Sequence, residues 1–198
     1  MIIFDLDFHG LSLDGYESTL DLLANIPVSW ELFEMCWATG NPIAVTDFLG
    51  KSIHDQEYPL SKLNQVSIYN ETYISGGYVE TSEVRQRNLN NSRGIINVLP
   101  GQLDYCSKIL ELARSLHITV IEVIQPSSID SLWSILNYTD VVNSLRKAAG
   151  LYKVPFIDFN DIMHLDSRLD YIDMYHLNKR GVLKFNKKLI EKLLAMKA

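Results

Sequence analysis

Two residues near the carboxyl end of the chain, Asp173 and His176, have the types and the spacing of an acid–base pair. They lie in the segment DMYHLNKRG, where one short turn can bring the carboxylate against the imidazole ring. A carboxylate in that position fixes the orientation and tautomer of the ring, and the other ring nitrogen can then take a proton from a hydroxyl nucleophile. Because histidine titrates near neutral pH, the pattern suits general-base catalysis.

A structural role is the alternative for the same two residues: a salt bridge in a loop, or a capping network ahead of the last helix. His164, Asp166 and Asp170 lie close by in the sequence. Metal ligands usually recur at helical or turn-defined offsets, and the spacing of these five residues is irregular. We therefore predict no metal site here and no cofactor for this chemistry.

A second acidic pair opens the chain, in the segment IIFDLDFHG. Asp5 and Asp7 end an apolar run and are followed by His9 and Gly10. Residues two apart in a strand point to the same face, and two adjacent carboxylates cannot both be buried and ionised without partners. The pair is therefore either a catalytic site or a structural feature in which one carboxylate accepts backbone N–H groups and the other is solvated.

The elements that must position these residues follow an alternating pattern of strands and helices. Alternation of this kind indicates an α/β fold with a parallel sheet, in which sites form at the carboxyl ends of the strands. Those ends lie near 9–10, 126–128 and 158–161. The predicted elements are a strand over 2–8, a helix over 100–116, a strand over 118–125, a helix over 131–150, a strand over 154–159 and a helix over 179–197.

The region between the first strand and residue 100 is less regular. Helical patterns occur over 15–26 and 28–40, and the segment PIAVTDF (42–48) predicts a short strand. Residues 50–98 are rich in Ser, Asn, Tyr and Gly, which predicts loops and short helices. We predict one domain over 1–198, with an insertion at about 50–98.

Composition limits the classes of function. The formal net charge is −6, which does not favour nucleic-acid binding, because phosphate backbones need a concentrated basic surface. No apolar run approaches the roughly 20 residues of a membrane span, and no basic stretch precedes the first apolar run. This predicts a cytoplasmic protein. Cys36 and Cys106 lack metal-ligand spacing, which predicts buried free thiols.

The segment DMYHLNKRG resembles the last block of the SGNH/GDSL family of esterases and acyltransferases, in which an Asp and a His three residues later complete a Ser-His-Asp triad. The preceding order of helix, strand with VIQPSS, helix and strand with FIDF is also similar, and IIFDLDF resembles the family's third strand. The resemblance covers about residues 1–12 and 100–195. It implies a three-layer α/β/α fold of flavodoxin-like type and a carbohydrate or other small-molecule ester as substrate.

The sequence departs from that family at the residues that start the reaction. The Gly-Asp-Ser nucleophile block and the glycine block of the oxyanion hole are missing, and Asp7-Phe8-His9-Gly10 stands where the family has Gly-x-Asn. Ser12 and Ser128 are stand-in nucleophiles near strand ends, and His9, Gly10 and Ser128 are candidates for lining the site. The fold is therefore expected to be incomplete at its N-terminus, and the chain is either an enzyme or a non-catalytic binding module.

The missing blocks leave three explanations: a start codon placed too late, a split or degenerate gene, or a partner chain. A lost N-terminal segment would change the expected location to extracytoplasmic. Without the first two strands, the strand over 2–8 has an exposed edge, and exposed edges pair with other chains. A partner chain or a second copy is therefore expected at that edge.

The opening segment also resembles motif I of the haloacid dehalogenase phosphatases. In that interpretation Asp5 is the nucleophile, Asp7 the general acid, and Thr46 at the end of the strand over 42–48 the phosphate-binding hydroxyl, with Mg²⁺ as cofactor. Phe8-His9 replaces the Gly-Thr of the family, and Asp158 and Asp161 are the best remaining candidates for Mg²⁺ ligands. The phosphatase is kept as an alternative function.

Overall fold

The fold comes from a computed structural model, which describes residues 1–8, 10–16, 19, 22, 23, 26–54, 72–74, 78–81, 84 and 93–196. The chain divides into two compact units. The first comprises 1–7, 67–96 and 106–198, and the second comprises 8–66 and 97–105. In chain order the elements are β1 (Ile2–Asp5), α1 (Trp30–Ala38), α2 (Pro42–His54), β2 (Thr72–Ile74), β3 (Tyr78–Glu80), α3 (Pro100–Ser115), β4 (Val120–Ile124), α4 (Ile129–Ser134), α5 (Tyr138–Tyr152), β5 (Phe156–Asp158) and α6 (Lys179–Ala195).

A short parallel sheet forms the centre of the first unit, as the alternating pattern predicts. Its strand order is β1-β4-β5, and all five residues of β4 are buried. A central strand in a parallel sheet is covered on both faces, which suits the β-branched run of β4. The register pairs Asp5 with Val123 and Ile124 with Asp158. The carboxyl ends of the three strands therefore meet at one edge of the sheet.

Helices cover the residues of β4 on alternating sides. Ile121 and Val123 pack with Phe159 and with apolar residues of α6, including Phe185. Val120 packs instead with Leu110 and other residues near the end of α3. Because successive residues of a strand point to opposite faces, these two clusters lie on opposite faces of the sheet. The coarse prediction of a mixed α/β fold with a parallel sheet is confirmed.

One predicted helix is two helices. The pattern predicts a single helix over 131–150, but α4 ends at Ser134 and α5 begins at Tyr138. Between them, Gly94 and Ile135 form a parallel bridge, and Leu136 N–H donates to the Gly94 carbonyl. The extended backbone at Ile135 is thus fixed by pairing with a segment distant in the sequence, which helical periodicity does not register.

The second unit has a helical core. Leu32 and Cys36 of α1 pack against Ala44 and Phe48 of α2, and Leu23 joins the same cluster. In this unit the amide of Leu99 also donates to the Leu11 carbonyl at 3.0 Å.

The strand predicted over 42–48 is wrong, because α2 covers these residues. The Asn41 side chain accepts a hydrogen bond from the amide of Ile43, and Pro42 occupies the first helical position, where its missing N–H costs nothing. Ala44 and Phe48 are four residues apart and share the buried face of the helix. Helical capping and spacing therefore outweigh the β-branched residues of the segment.

The range 50–98, predicted as an insertion of loops and short helices, is described only in part. Its described residues include the end of α2 and an antiparallel pair, β2 with β3. Cys36 and Cys106 are both free thiols, buried and half-buried respectively. Across the described residues, no helix has the length and apolar character needed to cross a membrane.

Candidate active site at the carboxyl edge of the sheet

The loop between β5 and α6 brings Asp173 and His176 together as the sequence predicts. The ring nitrogen Nδ1 of His176 lies 2.9 Å from Oδ2 and 3.0 Å from Oδ1 of Asp173. The carboxylate is itself anchored, because its Oδ1 accepts the backbone amides of Tyr175 at 2.8 Å and His176 at 2.9 Å. The turn therefore fixes the carboxylate, and the carboxylate fixes the ring.

The same contacts set the charge of the acid. Partial burial raises the pKa of the Asp173 carboxyl, but the hydrogen bonds from the Tyr175 amide, the His176 ring and the His176 amide together outweigh it, and the net pKa is lowered. Asp173 is therefore ionised at neutral pH and suited to stabilise a positively charged imidazolium. The backbone closes this turn with a 2.7 Å hydrogen bond from the Ile172 amide to the His176 carbonyl.

The His176 side chain is 72% exposed. Its Nδ1 is directed to Asp173, which leaves Nε2 as the nitrogen that can exchange a proton with another group. Within the described residues, no serine or threonine hydroxyl bonds the ring. The pair thus has the geometry of an acid–base couple that faces solvent.

Ser128 is hydrogen-bonded to this loop and tethers it; it is not placed as a nucleophile. Its side chain is fully buried and donates a 2.8 Å hydrogen bond to the carbonyl of Met174, which lies between the acid and the base. The same oxygen accepts the amide of Ser131 and caps α4. The Ser128 hydroxyl donates its hydrogen to one partner and accepts a hydrogen bond from another. Ser128 therefore positions the loop that carries the pair.

A partly buried polar network joins the ends of β4 and β5, and Asp158 was its one member among the residues singled out in the sequence. The Tyr138 hydroxyl donates to Asp158 at 2.7 Å, and Asn160 bonds both residues. The Asn160 side chain also accepts the amide of Ser127 at 2.7 Å and donates to the carbonyl of Gln125 at 3.2 Å. Burial, followed by the bond to Asp158, raises the pKa of the Tyr138 hydroxyl. This network ties the segment after β4 to the end of β5 at the carboxyl edge of the sheet.

Asp170 forms ion pairs with two basic residues in the first half of α6. It is fully buried, and its oxygens lie 3.0 Å from Arg180 Nε and 2.7 Å from Lys184 Nζ. An oxygen of Asp170 also accepts the amide of Asp166. The structure therefore uses Asp170 in ion pairs. Among the described residues, no group of three or more His, Cys, Asp or Glu side chains is arranged to hold a metal ion.

Residues of the alternative phosphatase site are distributed over both units. Asp5 ends β1, and part of its surface is exposed. Desolvation of the carboxyl raises its pKa to about 6; the charge of Asp7 adds to this rise, and a hydrogen bond with the Gln125 backbone opposes it. Thr46 lies within α2 of the second unit, and its hydroxyl donates to the Pro42 carbonyl at 3.0 Å. The expected position of Thr46 at the end of a strand is therefore wrong.

The remaining candidates from the sequence also belong to the second unit. Gly10 and Ser12 form the ends of a short 3-10 turn there, and Ser12 is engaged in an interaction with another residue. His9 lies outside the described residues.

Glu122 is a buried titratable residue in addition to those predicted from the sequence. It lies in the middle of β4 and is only 2% exposed. Burial raises the pKa of its carboxyl to about 7. No hydrogen bond or ion pair joins this carboxyl to a residue that the structure describes. An acid within the apolar run VIEVI was the signal that could have identified it.

A cavity of about 550 Å³ opens beside the tethered loop. It is lined by residues of the β4–α4 junction, including Ser127 and Ile129, and by residues of the segment 160–168. The amide of Ile129 donates to the Ser167 hydroxyl at 3.1 Å and joins the two walls. The volume is within the range of about 300 to 1,000 Å³ that is usual for small-molecule sites.

Compared with models of known protein families, the chain matches none, and a search of curated proteins also returns no match. The family resemblance therefore depends on the residues quoted from the sequence.

Proposed function

We propose that this chain is an SGNH-like esterase or O-acyltransferase domain in which His176 is the general base and Asp173 orients it. The observation that carries the proposal is the 2.9 Å contact between His176 Nδ1 and a carboxylate that two backbone amides hold in place. The pair follows the last strand of a parallel sheet, at the edge where α/β proteins place their sites. The three-layer SGNH arrangement, with α6 and α3 on opposite faces, is part of the proposal.

In the proposed reaction, Nε2 of His176 takes the proton of a hydroxyl as its oxygen attacks an acyl carbonyl. Asp173 stabilises the imidazolium, which then returns the proton to the leaving alkoxide as the ester bond breaks. The substrate is an ester, with an O-acylated carbohydrate as the favoured class. The attacking hydroxyl is assigned to water or to an alcohol acceptor rather than to Ser128, whose side chain is buried and bonded on both sides.

A test of the base measures hydrolysis of a short-chain aryl ester by wild type and by His176→Gln and Asp173→Asn. Loss of a general base lowers kcat by about 10²- to 10⁴-fold, and the loss of its orienting carboxylate lowers it as well. The matched control is His117→Asn, which changes an exposed histidine with a positive φ of 54° that asparagine tolerates. Hydrolysis by His176→Gln at the wild-type rate would contradict the assignment.

A non-catalytic binding module is the second candidate, and the lack of a described hydroxyl on the His176 ring favours it. A purified wild-type protein that hydrolyses no ester would support this module. The phosphatase alternative has its own test, since magnesium-dependent hydrolysis of an aryl phosphate that is lost in Asp5→Asn would favour it. Thr46 within a helix removes one of the two features on which that alternative depends.

A further inference from the structure

The cavity beside the tethered loop has two distinct kinds of wall. Four apolar side chains line it: Ile129, Leu132, Met163 and Leu165. Two side chains that can carry positive charge, His164 and Arg168, line the same space. An apolar surface next to cationic groups is complementary to a ligand with a short aliphatic part and an anionic end.

The two basic side chains of this cavity have no polar partner among the described residues. Neither the His164 ring nor the Arg168 guanidinium makes a hydrogen bond or an ion pair with a residue in the described part of the chain; only the backbone amide of Arg168 is bonded, to Asp166. Arg180 and Lys184 differ, because both are ion-paired with Asp170. The guanidinium of Arg168 therefore has its planar set of donors available for a carboxylate.

Asp166 also lines the cavity and carries the opposite charge. Its Oδ1 accepts the amides of Arg168 and Leu169, and the pKa of its carboxyl is lowered, first by the Arg168 amide and then in part by the charges of Arg180 and Lys184. The negative charge of Asp166 is thus bonded to the backbone and offset by cations outside the cavity. It leaves the Arg168 guanidinium available to an anion.

We propose that this cavity binds an aliphatic carboxylate, with the chain against the apolar wall and the carboxylate at Arg168 and His164. The identification of this ligand as the acid released from the ester rests on the proposed function. The position supports it, since Ser127 and Ile129 line the cavity and flank Ser128, whose hydroxyl bonds the loop of Asp173 and His176.

The experiment titrates the full chain with hexanoate, acetate and hexanol and follows amide chemical shifts by NMR. We expect hexanoate to bind more tightly than acetate, which lacks the chain, and more tightly than hexanol, which lacks the charge. We expect Arg168→Gln to weaken hexanoate binding roughly fivefold, the effect of an exposed ion pair, and to leave hexanol binding unchanged. The control Arg114→Gln changes an arginine that lines a different cavity, at the amino edge of the sheet, and keeps wild-type affinity.

Equal binding of hexanoate and acetate, an equal loss in both arginine variants, or no binding of hexanoate would overturn the proposal. The results also separate it from the proposed function. Ester hydrolysis without hexanoate binding would remove only the carboxylate site. Hexanoate binding without ester hydrolysis would keep the site and remove the esterase.

Discussion

Glu122 makes the stability of the folded protein depend on pH. Its carboxyl lies within β4, where Phe4 and Phe156 are its register partners on the neighbouring strands. Cys106 of α3 is close enough that the Glu122 charge helps to raise the pKa of the thiol, after burial itself. A carboxyl in these surroundings favours its neutral form, because no partner in the described part of the chain compensates for the lost hydration of the ion.

We expect Glu122→Gln to stabilise the protein at high pH. Burial raises the pKa of Glu122 from 4.5 to about 7, so the folded state keeps a proton that the unfolded state releases. The free energy of unfolding of the wild type therefore decreases as the pH rises from about 4.5 to about 7 and stays low above that range. Glutamine removes this loss, and we expect a gain of about 2 to 3 kcal/mol at pH 8 and little change at pH 4.5.

Urea unfolding of both proteins across this pH range measures the difference. Asp5, with a pKa raised to about 6, contributes in the same range but equally in both proteins, so the difference isolates Glu122. The control Glu191→Gln changes an exposed acid of α6. A constant difference between Glu122→Gln and wild type at all pH values would contradict the buried, protonated carboxyl.

At the residue scale the sequence predicts contacts that are local and misses those that are not. Asp173 and His176 meet because they lie three positions apart in one turn, which spacing alone reveals. A second contact is long-range, because the start of α5 and the end of β5 bring Tyr138, Asp158 and Asn160 together. No local pattern encodes that arrangement. Ser128 was correctly placed near a strand end, but its role as a tether depends on a carbonyl 46 residues away.

At the element scale, Gly181 explains part of the DMYHLNKRG segment without any reference to chemistry. It lies in the first turn of α6, where Asn178 caps the helix by accepting the Gly181 amide at 3.1 Å. A Cβ at this position would overlap the backbone carbonyl oxygen of Asp170. The start of α6 therefore approaches the Asp170 segment more closely than a larger residue permits.

We expect Gly181→Ala to destabilise the first unit by about 1 to 3 kcal/mol, the cost of forcing a packed backbone apart. The matched control is Gly150→Ala, a glycine of α5 with no atom within 4 Å of the added Cβ. Alanine favours a helix interior over glycine by about 1 kcal/mol, so this variant should be more stable than wild type. Thermal unfolding followed by circular dichroism compares the two, and a shift in the same direction for both would show that the close approach at Gly181 is absent.

Elements were predictable where the apolar period and the caps agree. α3 and α6 lie within two residues of their predicted limits, because each has a long amphipathic pattern with a clear start. The segment 42–48 has the β-branched residues of a strand, but Asn41 and Pro42 begin a helix there. The break between α4 and α5 depends on the bridge from Gly94 to Ile135, a long-range contact that periodicity cannot supply.

At the scale of the whole molecule, the parallel sheet was predictable from the order of its strands, but the division of the chain into two units was not. The first unit takes residues from three separate ranges of the sequence, and α3 begins in the second unit and continues in the first. The Ser-, Asn-, Tyr- and Gly-rich composition begins at about residue 50, which is not a limit of either unit. The units are defined by packing between distant segments.

The edge of β1 that faces away from β4 gives a prediction at the same scale. Among the described strands, β1 pairs only with β4, and its residues Ile2 and Ile3 are 46% and 39% exposed. An exposed apolar edge strand pairs readily with a further strand, and a lysine on such an edge prevents the pairing.

We expect the wild type to associate with a second copy of itself as its concentration increases, and Ile3→Lys to remain monomeric in sedimentation velocity. Leu194→Lys, which changes a residue of α6 that is 63% exposed, should associate like the wild type. Equal association of all three proteins would show that the contact lies elsewhere on the surface, and a monomeric wild type at every concentration would show that the edge of β1 does not bind a second copy.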